Sequence, residues 1–439
     1  MSTATAPTPP PVDLFRWPDL RPVRGAASLL RTVVARRLFE YAAARVDVRV
    51  ARPDGSVTGP QGDAAPLMRL HRPEQLFARV GRSGLIGFGE SYMAGDWDAP
   101  DLAGLLTRFA AQLPTLVPEP WQRLRRVAIP ARPSSERNTP ANARNHIGQH
   151  YDLSNELFAL FLDETMSYSG ALFEEDTTAD GVPGATATVS RPVAPPSWSQ
   201  LAAAQRRKTD RLLDLAGVDR ETRLLEIGSG WGELAIRAAE RGASVLTVTL
   251  SEQQQALTRE RVAAAGQGDR VRVELRDYRD VRGEFDAIVS VEMIEAVGHQ
   301  YWRTYFEALD RLLAPGGRVA LQAITMPHDR MLATRNTYTW VHKYIFPGGF
   351  LPSTEAIRES AGRHTALRVV DRRRLGGHYA ETLRLWDERF TGRREEVAAL
   401  GFDEVFRRMW HFYLEYSRAG FASGYLDVQQ VLLERDGDR

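Results

Sequence analysis

Apolar residues recur at helical spacing between residues 26 and 44. Leu29, Leu30, Val33, Val34, Leu38 and Tyr41 gather near one face, with Arg31, Arg36 and Arg45 around it. This predicts an amphipathic helix with two open readings: docked on its own domain, or resting on anionic lipid headgroups. Val46-Asp-Val48-Arg-Val50 alternates instead, which predicts a half-exposed strand ending at the turn Pro53-Asp54-Gly55. The segment from Leu85 to Trp97, LIGFGESYMAGDW, carries three glycines at a spacing that matches no phosphate-binding loop, so tight turns are expected there. Leu102 to Leu113 is again amphipathic and helical. Pro114 to Pro140 is rich in proline and arginine and reads as a linker.

The pattern then changes to long apolar runs separated by helices. Leu201 to Ala216 reads as a helix leading into Arg223-Leu-Leu-Glu-Ile227, a run typical of a buried parallel strand. Gly228-Ser-Gly230-Trp-Gly232 follows at once, then a helix (Glu233 to Arg241) and a strand (Ser244 to Leu250). This is a βαβ unit with a glycine-rich first turn, where backbone N–H groups at a helix start can approach a ligand. Further strands are expected at Val271 to Leu275, Phe285 to Val291 and Arg318 to Ala323, the last after a Pro315-Gly-Gly317 turn. The spacing G-x-G-x-G after Glu226 differs from the dinucleotide fingerprint G-x-G-x-x-G. It resembles motif I of S-adenosylmethionine (SAM) methyltransferases, and Asp277-Tyr278 fits adenine contacts.

Composition narrows the class. A chain of 439 residues suggests two or three domains with a sizeable core. The absence of cysteine excludes disulfides, thiolate metal sites and cysteine nucleophiles. There is no H-E-x-x-H or comparable cluster, so no metal is expected. No apolar run reaches the ~18–20 residues of a membrane span, and the N-terminus lacks a secretory signal, so a cytoplasmic protein is expected. The net charge of +1 does not support a nucleic-acid partner. The basic residues are almost all arginine, Lys208 and Lys343 being the only lysines, and nine of those arginines fall between Arg16 and Arg52. The expected organisation is a disordered tail (1–13), an N-terminal lipid- or membrane-associated domain (14–130), a linker (131–141) and a catalytic domain (142–439) with a flexible low-complexity insertion at 176–199.

Longer segments extend the resemblance. HYDLSNELFALFLDETMSYSGALF (150–173), LLEIGSGWGELAIRAAERGASVLTVTLSEQQ (224–254), VSVEMIEAVG (289–298) and KYIFPGGFLPS (343–353) look like the cyclopropane-fatty-acid synthase family, over about 145–435. GFGESYMAGDW resembles the N-terminal domain of its phospholipid-acting members. With ALQAITMPH and GFASGYLDV, the chain is most similar to an actinobacterial branch that includes the 10-methylene fatty acyl synthases of tuberculostearic acid formation. The resemblance implies an α/β fold, a Rossmann-like SAM methyltransferase with a seven-strand sheet beside a smaller, mainly helical N-terminal domain. It implies SAM as cofactor and an unsaturated phospholipid as substrate. It also implies peripheral contact with an anionic membrane surface on the inner face of the cell membrane, and a separate downstream reductase. A homo-oligomer stays open.

Site roles carry over where residues match. Glu226, Gly228, Gly230 and Gly232 are expected to frame the SAM turn, and Thr249, Leu250 and Gln254 to lie by the ribose and adenosine. Tyr151 and Ser169 are expected near the methionine moiety, and Asp277 and Tyr278 near adenine. Related synthases hold a bicarbonate ion with a glutamate, a tyrosine, a cysteine, a histidine and backbone groups. Glu295 and Tyr344 match, and Ile324 matches a backbone contact. Gly170 stands for the cysteine, Gln322 for the histidine and Ala296 for a second histidine. Gln322 can hydrogen-bond but not titrate, so bicarbonate is expected to be held differently, if at all. Glu292, one turn before Glu295, is its nearest rival. His299 and His342 read as structural or surface residues, His146 and His150 as bystanders or neighbours of the SAM region. Phe402 to Tyr425 is expected either to line an acyl tunnel or to pack in the core.

An isolated alkene is a weak nucleophile, so methyl transfer to it needs close alignment and leaves a carbocation. Negative charge and aromatic faces in a dry slot stabilise that cation. Ring closure on proton loss gives a cyclopropane; a hydride shift first gives an exocyclic methylene. Gly170 and Gln322 are expected to reshape the base site toward methylene. A cyclopropane synthase, a non-catalytic SAM- or lipid-binding protein and a nicotinamide oxidoreductase are the competing readings.

Overall fold

The computed structural model describes residues 12–24, 26–116, 154–179 and 187–437. Tyr151, His146, His150, the expected linker and almost all of the expected tail lie outside them. The chain divides into two compact units. The first comprises Met1–Arg132, Thr337–Ile345 and Asp387–Tyr425, the second Pro133–Asn336, Phe346–Trp386 and Leu426–Arg439. The first unit therefore includes two stretches that the sequence reading assigned to the 142–439 domain.

In the first unit, helix Ala26–Ala43 forms where expected, with much of its apolar face outward. Leu29, Leu30, Val33 and Leu38 are exposed, while Thr32 and Ala35 are buried. The reason is a close backbone approach. A Cβ on Gly81, in helix Pro73–Ser83, would lie 2.7 Å from the Arg31 carbonyl oxygen, so at this crossing the small residues face the partner helix, and Phe39 packs on Phe77 beyond it. Strands β1 (Arg49–Ala51), β2 (Val57–Thr58), β3 (Leu67–Leu70) and β4 (Trp97–Asp98) make a sheet of order β2-β1-β3-β4. Val46, Val48 and Val50 are buried and Asp47 is exposed, as the alternation predicted. The expected tight turns around the GFGESYMAGDW glycines are corrected. Gly87 and Gly89 lie inside helix Leu85–Met93, and Gly95 alone of the three turns, at φ 74°. A Cβ on Gly87 would meet the Arg79 carbonyl oxygen at 2.0 Å and one on Gly89 the Trp340 ring at 2.5 Å. These glycines are packing contacts. Helix Glu404–Ala422 buries Phe406, Trp410, Phe412 and Tyr413 in this unit's core, Phe412 lying 4.9 Å from Trp340 and 5.2 Å from Tyr92 between ring centroids.

The second unit is built on a nine-stranded sheet of order β5-β6-β12-β13-β11-β10-β7-β8-β9. Its strands are β5 (Glu175–Ala179), β6 (Ala187–Pro192), β7 (Arg223–Ile227), β8 (Ser244–Thr249), β9 (Val271–Leu275), β10 (Phe285–Val291), β11 (Leu313–Thr325), β12 (Leu367–Arg374) and β13 (Asp427–Arg435). The sheet has two strands more than the expected seven, β7 to β13 making up the remainder. The other two come from the supposed flexible insertion, whose ends pair as an antiparallel hairpin and join β12 in parallel. The Pro315-Gly-Gly317 turn is also corrected. It lies within β11 as a bulge, the register stepping from Phe285↔Leu313 to Ala287↔Arg318. Both faces of the sheet are buried, which is why its strands read as continuous apolar runs. Leu225, Ile227, Ile288 and Leu321 pack on one face with helices Trp302–Leu312 and Thr354–His364. Leu224, Ala287, Val289 and Ala320 pack on the other with helices Leu201–Leu215 and Glu233–Glu240.

Candidate active site

β7 is where the strand order reverses, β8 lying on one side of it and β10 on the other. In such sheets ligands bind beyond the carboxyl end of the strands at this point. Here β7 runs into the glycine turn. Gly228, Gly230 and Gly232 have φ of 94°, 48° and 93°, a left-handed conformation that favours glycine. At Gly232 a Cβ would also lie 2.8 Å from Thr258 Cγ2. The turn aims the start of helix Glu233–Glu240 at a pocket.

Ser169, Glu226, Gly228, Gly230, Thr249, Leu250, Gln254, Asp277 and Tyr278 all line that pocket. Gly232 sits behind the turn as the helix N-cap. Thr249 Oγ1 donates to Gln254 Oε1 at 2.9 Å, which fixes the end of β8 against helix Glu252–Ala264. Asp277 has its carboxylate already paired with Arg279, at 2.8 Å to Nε. Tyr278 packs edge-on to Tyr305, ring centroids 5.5 Å apart.

Two groups that line the pocket escaped the sequence reading of the site. Lys208 is buried and its Nζ donates to Ser169 Oγ at 2.7 Å. Burial lowers its pKa to about 8, against the pull of Glu292, Asp163, Glu233 and Glu226. Its signal was its rarity in an arginine-rich chain. Trp231, inside the glycine turn, is buried and donates through Nε1 to Asn155 Oδ1 at 2.8 Å. Burial pushes the Glu226 carboxyl up to about 8, with Lys208 acting against it.

The two candidate carboxylates differ. Glu295 is buried on helix Ile294–Val297, and its Oε1 accepts from the Ile324 N–H. Its Oε2 has no hydrogen-bond partner among the described residues. Burial pushes this carboxyl up to about 8, and the neighbouring Glu292 charge adds to the effect. Glu292, not Glu295, is among the residues lining the pocket. Its Oε1 accepts from the Gly170 N–H at 2.9 Å and from Gln322 Nε2 at 2.8 Å, and its Oε2 accepts from the Tyr379 hydroxyl at 2.7 Å. Gln322 is fixed in turn: Nε2 also donates to the Gly170 carbonyl at 3.0 Å, and Oε1 accepts from Gln430 at 3.0 Å. A Cβ on Gly170 would lie 3.0 Å from the Tyr379 ring, so a side chain there would crowd that tyrosine. Nothing in the sequence around Tyr379 points to this role. Gly170, Gln322, Glu292 and Glu295 thus meet through shared hydrogen bonds and charge. Tyr344 belongs to the first unit, where its hydroxyl donates to Glu90 Oε1 at 3.0 Å beside Lys343.

Comparison with known proteins follows the same lines. Residues 138–431 match the family model described as mycolic acid cyclopropane synthetase. The chain is 54% identical over 439 residues, the full length of both proteins, to the tuberculostearic acid methyltransferase UfaA1 of Mycobacterium tuberculosis. It is 33% identical over 378 residues to the cyclopropane-fatty-acyl-phospholipid synthase of Escherichia coli, covering 85% of this chain and 89% of that one. Among solved structures, mycolic acid cyclopropane synthase CmaA1 complexed with SAH and CTAB aligns with a TM-score of 0.57 at 30% identity, over 66% of this chain and 98% of that one.

Proposed function

The chain belongs to the mycolic acid cyclopropane synthetase family, and from that membership we propose that it methylates the double bond of an oleoyl-type phospholipid acyl chain, using SAM, to leave a methylene branch. The observation that carries this reading is that one pocket holds both the left-handed glycine turn and the half-buried carboxylate of Glu292. The three turn glycines adopt left-handed φ, and the space beside Gly230 is open, so the residues present fit SAM. Gly228, Gly230, Ser169, Thr249, Leu250, Gln254, Asp277 and Tyr278 would hold it. SAM supplies an electrophilic methyl group at a sulfonium centre.

The chain's own residues then govern what happens to the acyl chain. The alkene π pair forms the new bond and a carbocation develops on the neighbouring carbon. A carboxylate that is ionised beside the acyl chain favours that cation over the neutral substrate, because a charge in a dry site interacts more strongly than in water. Glu295 and Tyr344 remain the expected catalytic partners on family grounds, with Gly170 and Gln322 in supporting positions. Bicarbonate does not fit the same donors. The Gly170 N–H and Gln322 Nε2 are engaged by Glu292, and the Ile324 N–H by Glu295.

Substrate delivery is assigned to the N-terminal region, 14–130. Exposed Leu29, Leu30, Val33 and Leu38 share helix Ala26–Ala43 with exposed Arg31 and Arg37, a composition suited to an anionic membrane surface. Among the described residues no helix is long and apolar enough to cross a membrane. The methylene product would require a reducing step by a separate enzyme to become a methyl branch.

The test incubates the purified chain with oleoyl phospholipid vesicles and methyl-labelled SAM and analyses the lipid by mass spectrometry. A labelled methylene acyl chain is expected. A cyclopropane as main product overturns the product assignment, and SAM binding without any labelled lipid overturns the enzymatic one.

A further inference from the structure

Glu292 is conspicuous for its backbone. Among the described residues only Met166, Glu221 and Glu292 adopt positive φ without being glycine, and Glu292 does so at 50°. A side chain in this conformation persists only where its surroundings hold it. Three donors from three separate segments do so: the Gly170 N–H, Gln322 Nε2 and the Tyr379 hydroxyl. The Glu292 N–H itself donates to the Gln322 carbonyl at 2.7 Å. An ionised carboxylate offers roughly four lone-pair positions. Oε1 uses two on these donors and Oε2 uses one on Tyr379, which leaves one open position on Oε2. Burial raises the Glu292 pKa, and these three hydrogen bonds together with the Lys208 charge act against that rise. The residue lines the same pocket as the glycine turn. A free anion would need the donors that this side chain occupies.

We propose that Glu292 is the general base of the reaction, an acid built into the chain in the position a dissociable anion would otherwise fill. This rests on the lipid-methylating function proposed above. As the donor S–C bond breaks, its electron pair stays on sulfur and the alkene π pair forms the new C–C bond, leaving a cation on the adjacent carbon. A hydride moves from the methyl-bearing carbon to that cation, which places the positive charge on the methyl-bearing carbon. A C–H bond of the new methyl then breaks. Its electron pair becomes the exocyclic C=C, and its proton goes to the open lone pair of Glu292 Oε2. Tyr379 and Gln322 are positioning residues that hold the carboxylate for this transfer.

The experiment uses the full chain, oleoyl phospholipid vesicles and labelled SAM, in buffer stripped of carbon dioxide and bicarbonate. Wild type is expected to turn over equally with and without added bicarbonate. Glu292→Gln is expected to lose about 100-fold or more in kcat, the scale of a lost general base, with SAM affinity held within a few-fold. Glu292→Gly relieves the left-handed backbone and is expected to fold, which its circular dichroism and SAM binding check. It is expected to be equally slow and to regain tenfold or more on addition of formate, which fits the space vacated. Glu292→Gln within threefold of wild type, wild-type turnover that requires bicarbonate, or a folded, SAM-binding Glu292→Gly that formate does not rescue each overturns the proposal. Should Glu292→Gln fail to fold, the wild-type and Glu292→Gly arms still decide it. A wild type that labels no lipid overturns the proposed function, and the base assignment with it.

Discussion

At the scale of single residues, burying acids makes stability depend on pH in a direction that can be worked out. The Glu295 and Glu226 carboxyls are each pushed up by burial to about 8 from an ordinary 4.5. Below about 4.5 both are protonated in the folded and the unfolded chain, and the contribution is fully present. As pH rises toward 8 the unfolded chain releases these protons while the folded chain retains them, so stability falls. His378, lowered by burial to about 3 from 6.5, acts in the opposite sense below 6.5. In the window from pH 6.5 to 8 His378 no longer contributes; His411, held above 6.5 by Asp387 against the effect of burial, adds to the fall, and Lys208, lowered by burial to about 8, opposes it near the upper end. The melting temperature is expected to fall across this window, and Glu295→Gln is expected to flatten that fall while abolishing most methyl transfer. Thermal melts in half-unit steps of pH check this, and an unchanged slope would count against a protonated Glu295. Glu295 itself was legible, because a motif surrounds it, and so was its rivalry with Glu292. What decided between their environments was not, because Gly170, Gln322 and Tyr379 come from segments far apart in the chain.

At the scale of elements, periodicity located helix Ala26–Ala43 and left open whether its apolar face docks or lies exposed; Leu29, Leu30, Val33 and Leu38 are exposed. The rule that apolar faces turn inward fails here because Gly81 brings two helix backbones together at Arg31, where Thr32 and Ala35 are buried and Phe39 packs on Phe77 further along. Leu29 and Leu30, exposed at 66% and 75%, have no packing role to lose. Replacing both with aspartate should therefore change stability by less than about 0.5 kcal/mol per site, as at other exposed positions. Burying a leucine side chain in a bilayer interface is worth roughly 1.5–3 kcal/mol. The double variant is thus expected to bind anionic vesicles at least tenfold more weakly in co-sedimentation, with its melting temperature unchanged. Undiminished binding would remove this helix from the membrane contact. The parallel strands β7 to β10 were legible nearly to the residue because both faces are buried. The β5–β6 hairpin was not, since EDTTA carries no apolar run and its pairing partner β12 lies far along the chain.

At the scale of the whole molecule, what the sequence concealed was discontinuity. An N-terminal domain ending near residue 130 looked self-sufficient, yet its compact unit draws in Thr337–Ile345 and Asp387–Tyr425. The physical reason lies in the aromatic core. Trp97 is fully buried and its neighbours include Phe88, Tyr92 and Phe412, the last borne on helix Glu404–Ala422. The same helix accepts the Ala103 N–H on Glu415 and sends Arg408 to the carbonyls of Tyr92 and Trp97. Periodicity along Phe402 to Tyr425 allowed either tunnel or core, and five of its aromatic side chains lie in the core. A fragment of residues 1–132 would lose these partners together. Losing one buried phenylalanine costs about 3–5 kcal/mol, against about 5–15 kcal/mol for a whole domain, and here an entire helix with several aromatic residues is removed. The fragment is therefore expected to show no cooperative thermal transition by circular dichroism and dispersed amide signals to be missing from its NMR spectrum. A sharp two-state melt of the isolated fragment would show that the unit folds without the distant helix and that the continuous N-terminal boundary was right.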